Sequence, residues 1–302
     1  MSSSAHPVDA GGEPPWLARA TVAVVGLGLM GGSLAGALTG RDGRPRRCAR
    51  VIGIVRSPTA REAALGWVDS ATADVGAVAD ADLVVLATPV RRILALLPEV
   101  AARMRPGALL TDLGSTKGAI VAAMAALPAE LLAIGGHPMC GKEGGGLAAA
   151  DAGLYEGAPF VFCPVPGRPI EALARATALA RALGAHPRVL DAAAHDRAVA
   201  AISHAPYAAA VALVRAAEQT AAGGDEPWAL AAGGFRDTTR VAAGEIDMWV
   251  DILLTNAGPV LEQLAWLRAD LDAVAAAVSA GDEAALRALI GPARRRRRTL
   301  FA

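Results

Sequence analysis

Apolar residues in the first half of the chain come in short, β-branched runs separated by stretches with helical spacing. Thr21–Val25, Val51–Val55 and Leu83–Ala87 have almost no polar interruption, and Leu109–Asp112 opens on two leucines; each reads as a strand buried on both faces. Helices are predicted between them over Met30–Leu38, Thr59–Leu65 and Val90–Met104, and further strands at Ile134–Gly136 and Phe160–Cys163. Strand and helix in alternation predict a mostly parallel, doubly wound sheet with right-handed crossovers. From about Ala192 strand signals stop. Alanine-rich helical segments follow over Ala193–Ala221, Trp228–Ala232, Ile246–Ala276 and Asp282–Leu289, punctuated by Pro227 and Pro259. The chain thus divides into a Ser-, Gly- and Pro-containing lead-in over 1–17, expected to be disordered, an α/β domain over 18–191 and an all-α domain over 192–302.

Composition narrows the function classes. The 302 residues suit two domains. Lys+Arg and Asp+Glu are equal at 29 each, so no net charge draws the chain to nucleic acid or an anionic membrane. Mean hydropathy is +0.39, but the excess is mostly alanine, and the most apolar run, Ala205–Val214, is about half of what spans a bilayer. The N-terminus has no apolar core of a secretory signal. Cys48, Cys140 and Cys163 lack metal-ligand spacing and fit a reducing cytoplasm. Arg294–Arg298 reads as a solvated tail whose cations suit a helix C-terminus.

The first strand leads directly into Gly26-Leu27-Gly28-Leu29-Met30-Gly31. In that strand–turn–helix setting, Gly26 permits the turn, Gly28 lets a pyrophosphate approach the backbone, and Gly31 allows close helix–strand packing. Phosphates would bind the free N–H groups at the helix start, with Leu29 and Met30 in its first turn. The expected fold is therefore a Rossmann-type sheet followed by an all-α domain. The second strand ends in Arg56-Ser57 with no acid to accept from a ribose 2′-OH. A guanidinium and a hydroxyl suit a 2′-phosphate, so NADP is expected over NAD, unless Arg56 is a surface bystander. Thr88 and Pro89 follow the Leu83–Ala87 strand at the sheet edge where such folds bind ligands, and are expected cofactor contacts.

Three further clusters stand out: Thr111-Asp112-Leu113-Gly114-Ser115-Thr116-Lys117, Gly136-His137-Pro138-Met139-Cys140-Gly141-Lys142-Glu143 and Gly234-Phe235-Arg236-Asp237-Thr238-Thr239-Arg240. With the Gly-rich start, they resemble the prephenate dehydrogenase family (prephenate, arogenate and related cyclohexadienyl dehydrogenases) over roughly Ala20–Leu264. The resemblance implies oxidation of C4 of a cyclohexadienol with loss of the ring carboxylate as CO2. It implies His137 as general base, Ser115 as its hydroxyl-orienting partner, Glu143 as a gate at the site entrance, Arg240 as the anchor of a substrate carboxylate, and Trp249 as a residue reaching the neighbouring subunit's site.

The residues fit those roles, each beside a plainer alternative. His137 is largely neutral near pH 7 and sits at a strand end. Ser115 could equally be a helix N-cap. Lys117 is structural or phosphate-facing. Arg236 and Arg240 are four apart and would share a helical face, a repulsion relieved by an anionic substrate or by Asp237. Trp249 is also a candidate core residue. His204 and Tyr207 share a face of the helix linking the domains, kinked by Pro206. Tyr207 stands where prephenate users often carry His, which leaves arogenate or 4-amino-4-deoxyprephenate open as substrates. His195 and His204 are read either as ligands or as satisfied core histidines, and Cys140 as an inert small hydrophobe. A β-hydroxyacid dehydrogenase or imine reductase would need a Lys in the interdomain helix, where His204 stands instead; a non-catalytic dinucleotide sensor is the other rival. The expected partners are a small-molecule substrate and a second copy of the chain, because the alanine-rich surfaces exceed what one small domain buries.

Overall fold

A computed structural model describes residues 14–142, 144–221 and 223–300. The strands are β1 (Thr21–Val25), β2 (Arg50–Ile54), β3 (Ser70–Thr72), β4 (Leu83–Leu86), β5 (Leu109–Asp112), β6 (Leu132–Pro138), β7 (Pro159–Pro164) and β8 (His186–Val189). They form one sheet in the order β3-β2-β1-β4-β5-β6-β7-β8. All neighbours are parallel except β6 and β7. The order reverses beside β1, which opens a crevice at the carboxyl ends of β1 and β4. Alternation along each strand feeds two cores. Val22 and Val24 pack on one side of the sheet with Leu83 and Leu109; Ala23 and Val25 pack on the other with Val84 and Leu110.

The six sequence-predicted strands and three crossover helices all appear within a few residues of expectation, and two strands were not foreseen. β3 has only three residues, none fully buried. β8 is a largely exposed edge containing Pro187, where a missing N–H costs no ladder bond. Helices α1 (Pro15–Ala18), α2 (Leu29–Thr39), α3 (Pro58–Ala64), α4 (Val90–Ala101), α5 (Gly118–Ala125) and α6 (Ile170–Ala182) accompany the sheet. The lead-in expected to be disordered over 1–17 lies outside the described residues through 13; its end instead forms α1, where Leu17 is fully buried beneath the first core.

The second half is helical: α7 (Ala192–Val199), a π-helical turn over Ala200–His204, α8 (Ala205–Ala221), α9 (Glu226–Ala229), α10 (Gly233–Thr239), α11 (Ile246–Thr255), α12 (Ala257–Ala280) and α13 (Glu283–Leu300). The π turn lies just before Pro206, whose ring removes an N–H from the ladder, and so widens the helix where the site histidines emerge. By length and composition the helix spanning Ala192–Ala221 could cross a bilayer, but here it is an interdomain spine that buries His195, Asp196 and His204. The segment expected as one helix over Ile246–Ala276 breaks at Asn256, whose side chain turns inward. The last helix runs through Pro292 and Arg294–Arg298 to Leu300 rather than stopping at Leu289.

Two carboxylates from the helical half fasten it to the sheet half, each by occupying a helix N-terminus, where N–H groups lack intrahelical partners. Asp251 of α11 accepts from the Arg91 backbone N–H of α4 at 3.1 Å and pairs with the Arg91 guanidinium. Asp196 of α7 accepts from Lys117 and Gly118 N–H, both at 2.7 Å, and so caps α5. The Thr116 and Thr255 hydroxyls, 2.9 Å apart, add a third link. Asp251→Ala removes a cap and the partner of Arg91, so it should cost about 1–2 kcal/mol in denaturant unfolding. An unchanged unfolding midpoint would show that this contact does not hold the halves together.

Candidate active site

The site begins at the β1–α2 turn. Gly26 has φ +95°, in the region that favours glycine, and an added Cβ would lie 2.8 Å from the Ala87 carbonyl oxygen. A Cβ on Gly31 would lie 1.9 Å from the Gly26 oxygen. Gly28, the N-cap of α2, has nothing within 4 Å of a built Cβ. The turn is therefore closed where it packs on β4 and open at its middle glycine, the shape that lets a pyrophosphate reach the helix N–H groups. Leu29 and Met30 form the first turn, and the fully buried Tyr155 hydroxyl donates to the Met30 carbonyl at 2.7 Å. Thr88 Oγ1 is buried at the adjoining edge with no hydrogen-bond partner, and Pro89 caps α4. An open cradle beside an orphaned hydroxyl fits a dinucleotide.

At the end of β2, Arg56 is exposed. Ser57 N-caps α3, accepting from Ala60 N–H at 3.4 Å. Arg61 joins the same turn, donating to the Arg56 carbonyl at 2.6 Å. Sequence reading did not include this second guanidinium.

Beyond β4, the strand ends carry the polar chemistry. β5 and β6 pair only as far as Thr111 and Ile134; beyond it the Gly136 N–H goes to the Asp112 side chain, and the backbones lie so close that a Cβ on Gly136 would be 2.5 Å from the Asp112 carbonyl oxygen. A fully buried ion pair replaces the ladder. Lys117 pairs with Asp112 and donates to the Gly136 carbonyl at 2.7 Å, while Asp112 accepts from Gly136 N–H at 3.0 Å and Gly114 N–H at 2.8 Å. Both backbone groups of Gly136 are thereby pinned, which fixes His137, the next residue, at the carboxyl end of β6, on the same sheet edge as the dinucleotide turn. Lys117 is thus buried structure and not phosphate-facing. Ser115, partly exposed, follows β5 on the same edge. It is not the N-cap of α5, whose cap is supplied by Asp196.

His137 Nδ1 lies 2.8 Å from His195 Nε2, and His195 Nδ1 lies 2.8 Å from Asp196 Oδ1. Burial, reinforced by the nearby Lys117 ammonium, holds His137 well below the ordinary imidazole pKa. Burial would raise the Asp196 carboxyl, but hydrogen bonds from His195, Lys117 N–H and Gly118 N–H together hold it below its usual range. Asn256 donates to the Asp196 backbone carbonyl at 2.8 Å and to His204 Nδ1 at 3.1 Å. Of these groups sequence reading assigned a role to His137 and His204 alone. The adjacent His195-Asp196 pair at a helix start was the available signal, but its partners lie 58 to 79 positions away.

The structure brings Tyr207, His204 and Trp249 together in one chain. The Tyr207 and Trp249 rings stack at 3.7 Å and 8°, and His204 meets Trp249 edge-on at 6.3 Å. Arg240 and Arg236 are exposed on a segment that packs against α8. Since α10 closes at Thr239, Arg240 opens a 3-10 turn and does not extend the helical face of Arg236. Asp237 pairs with its neighbour Arg236 at 3.2 Å. Glu143 lies outside the described residues. The Cys140 thiol is pushed up to about 11 by burial.

A dinucleotide cradle with an imidazole kept neutral farther along the same sheet edge is the layout of a nicotinamide-dependent dehydrogenase. Two family models match the chain: prephenate dehydrogenase, nucleotide-binding domain, over residues 40–189, and prephenate dehydrogenase, dimerization domain, over residues 191–291. The prephenate dehydrogenase of Bacillus subtilis is 36% identical over 254 residues, 82% of this chain and 67% of that protein. Synechocystis arogenate dehydrogenase superposes with a TM-score of 0.78 at 32% identity, over 93% of this chain and 99% of that one. Prephenate dehydrogenase from A. aeolicus, in complex with hydroxyphenyl propionate and NAD+, gives a TM-score of 0.83 at 28% identity, over 94% and 99%. The chain belongs to the prephenate dehydrogenase family.

Burial lowers His204 from 6.5 to about 4. Between those values the unfolded chain binds a proton that the folded chain does not, so stability is lost as pH falls across the window. The shift is worth about 3 kcal/mol. The Tm should therefore drop steeply between about pH 6.5 and 4, and less steeply in His204→Gln; equal slopes would contradict a neutral buried His204.

Proposed function

We propose that the chain catalyses the oxidative decarboxylation of prephenate to 4-hydroxyphenylpyruvate, with His137 as general base. The observation that carries the reading is His137 itself: a deprotonated imidazole at the carboxyl end of β6, on the edge that holds the dinucleotide cradle. The cradle of Gly26, Gly28, Leu29, Met30 and Gly31, with Thr88 and Pro89 beside it, would hold a nicotinamide dinucleotide, which supplies a hydride acceptor for C4. His137 takes the proton of the C4 hydroxyl as the hydride departs. Loss of the ring carboxylate as CO2 returns its bonding pair to the ring, leaving a phenolate that recovers a proton. Because aromatisation and CO2 release drive the step, an imidazole held low enough to stay neutral suffices as base. Ser115 orients the C4 hydroxyl. Arg240 holds a substrate carboxylate with Arg236 adding positive field, and His204, Tyr207 and Trp249 form the wall opposite the strand ends. A neutral phenol at Tyr207 also suits the zwitterionic side chain of arogenate, the second reading. His137→Asn should leave dinucleotide binding intact and lower kcat by roughly 10²–10⁴; activity within about twofold of the parent would remove His137 as base.

NADP is the proposed preferred cofactor. No carboxylate occupies positions 55–57, and the turn gathers the exposed Arg56 and the half-buried Arg61, which suit a 2′-phosphate. In kcat/KM comparisons NADP should lead, and Arg56→Asp should shift the ratio towards NAD at least tenfold. An NAD preference that the substitution leaves unchanged would overturn the assignment.

The active form is proposed to be a homodimer in the cytoplasm. Leu261, Trp266, Leu271 and Val278 on α12 and Ile290 on α13 are all more than half exposed in the single chain, an apolar face that a second copy would cover.

A further inference from the structure

The chain Asp196–His195–His137 crosses both halves of the molecule. We propose that Asp196 and His195 are positioning residues that fix His137 as the tautomer with its proton on Nδ1, so that its Nε2 lone pair faces the crevice. This rests on the reading of His137 as the base.

The tautomers follow from which atoms can accept. Asp196 is satisfied as a carboxylate: Oδ1 takes Lys117 N–H at 2.7 Å and Oδ2 takes Gly118 N–H at 2.7 Å. Its contact with His195 Nδ1 at 2.8 Å must then be an N–H donated to Oδ1. Between His195 Nε2 and His137 Nδ1, 2.8 Å apart, one proton is shared. Placing it on His195 would make that ring an imidazolium, although it is 1% exposed and lies on the side of the site where the Lys117 ammonium is already buried. Placing it on His137 leaves both rings neutral and avoids a further buried cation. His195 is then the acceptor, and the unprotonated nitrogen of His137 is Nε2. A free imidazole in water favours a proton on Nε2, which would blunt it as a base here, so the relay supplies what solvent would not.

The anchor of the relay is an interdomain contact. Asp196 belongs to α7, yet two of its three partners are N–H groups at the start of α5. The orientation of the base is therefore set by the docking of the helical half on the sheet. His204 provides an internal contrast. Asn256 Nδ2 is fixed as a donor by the Asp196 carbonyl and donates to His204 Nδ1, which leaves the His204 proton on Nε2.

The test is long-range ¹⁵N–¹H correlation of the imidazoles in the full-length protein, which has five histidines, assigned with His137→Asn and His204→Gln. The expected spectrum shows His137 and His195 protonated on Nδ1 and His204 on Nε2. His195→Phe, which removes the acceptor, should move His137 to the Nε2-protonated form and lower kcat roughly 10²-fold with KM changed less than about threefold. His195→Gln keeps a carbonyl acceptor and should recover at least about tenfold of that loss. An Nε2-protonated His137 in the parent protein overturns the proposal even if His195→Phe fails to fold, as do equal kcat values for the Phe and Gln variants. A fully active His137→Asn would instead defeat the assignment of the base and leave the tautomers standing.

Discussion

The geometry of the site depends on one buried carboxylate. Asp196 reaches out of the helical half and closes the N-terminus of α5, a helix of the other half, while its remaining capacity goes to His195. Capping and orientation are thus the same interaction. A few ångströms away the Asp112–Lys117 pair pins Gly136 by both its N–H and its carbonyl where the β5–β6 ladder has ended. Removing one partner of a fully buried pair costs about 3–5 kcal/mol, so neither charge is free to adapt. His137 is held by its backbone from one side and by its ring from the other.

This arrangement also explains the electrostatics. Burial and the Lys117 ammonium keep His137 neutral, and burial does the same for His204. Both imidazoles are therefore uncharged polar groups, and in the proposed mechanism the attraction for an anionic substrate falls to the exposed Arg236 of α10 and Arg240 of the turn that follows it. Tyr207, stacked flat on Trp249 beside His204, continues that pattern: the cluster is built from rings that donate or accept single hydrogen bonds rather than from charges.

Much of this was legible in the amino-acid sequence, for identifiable reasons. β1 and β4 are nearly continuous apolar runs because they are buried on both faces, and the Gly26–Gly31 spacing reports a close-packed turn that a side chain at Gly26 or Gly31 would not fit. β3 and β8 escaped because an edge strand needs neither length nor apolar character. The break at Asn256 was hidden because an asparagine with inward hydrogen bonds looks like any polar helix position, and the 3-10 turn at Arg240 because helical spacing alone does not tell where a short helix closes. Ser115 had the sequence of an N-cap, yet a carboxylate about eighty positions away took the role. The His195–Asp196 relay left only half a signal: adjacency in sequence shows two polar residues on a helix, and only tertiary packing shows that a third, on a strand, completes them.

The central claim is that the folded chain points a neutral imidazole nitrogen at the carbinol of its substrate, alongside the nicotinamide. A high-resolution crystal structure with oxidised dinucleotide and a cyclohexadienol-like or phenolic ligand tests it directly. His137 Nε2 should lie within hydrogen-bond distance of the ring hydroxyl, with His195 behind Nδ1 and the nicotinamide C4 facing the oxidised carbon. A ligand hydroxyl bound elsewhere, or a nicotinamide turned away from His137, would contradict it.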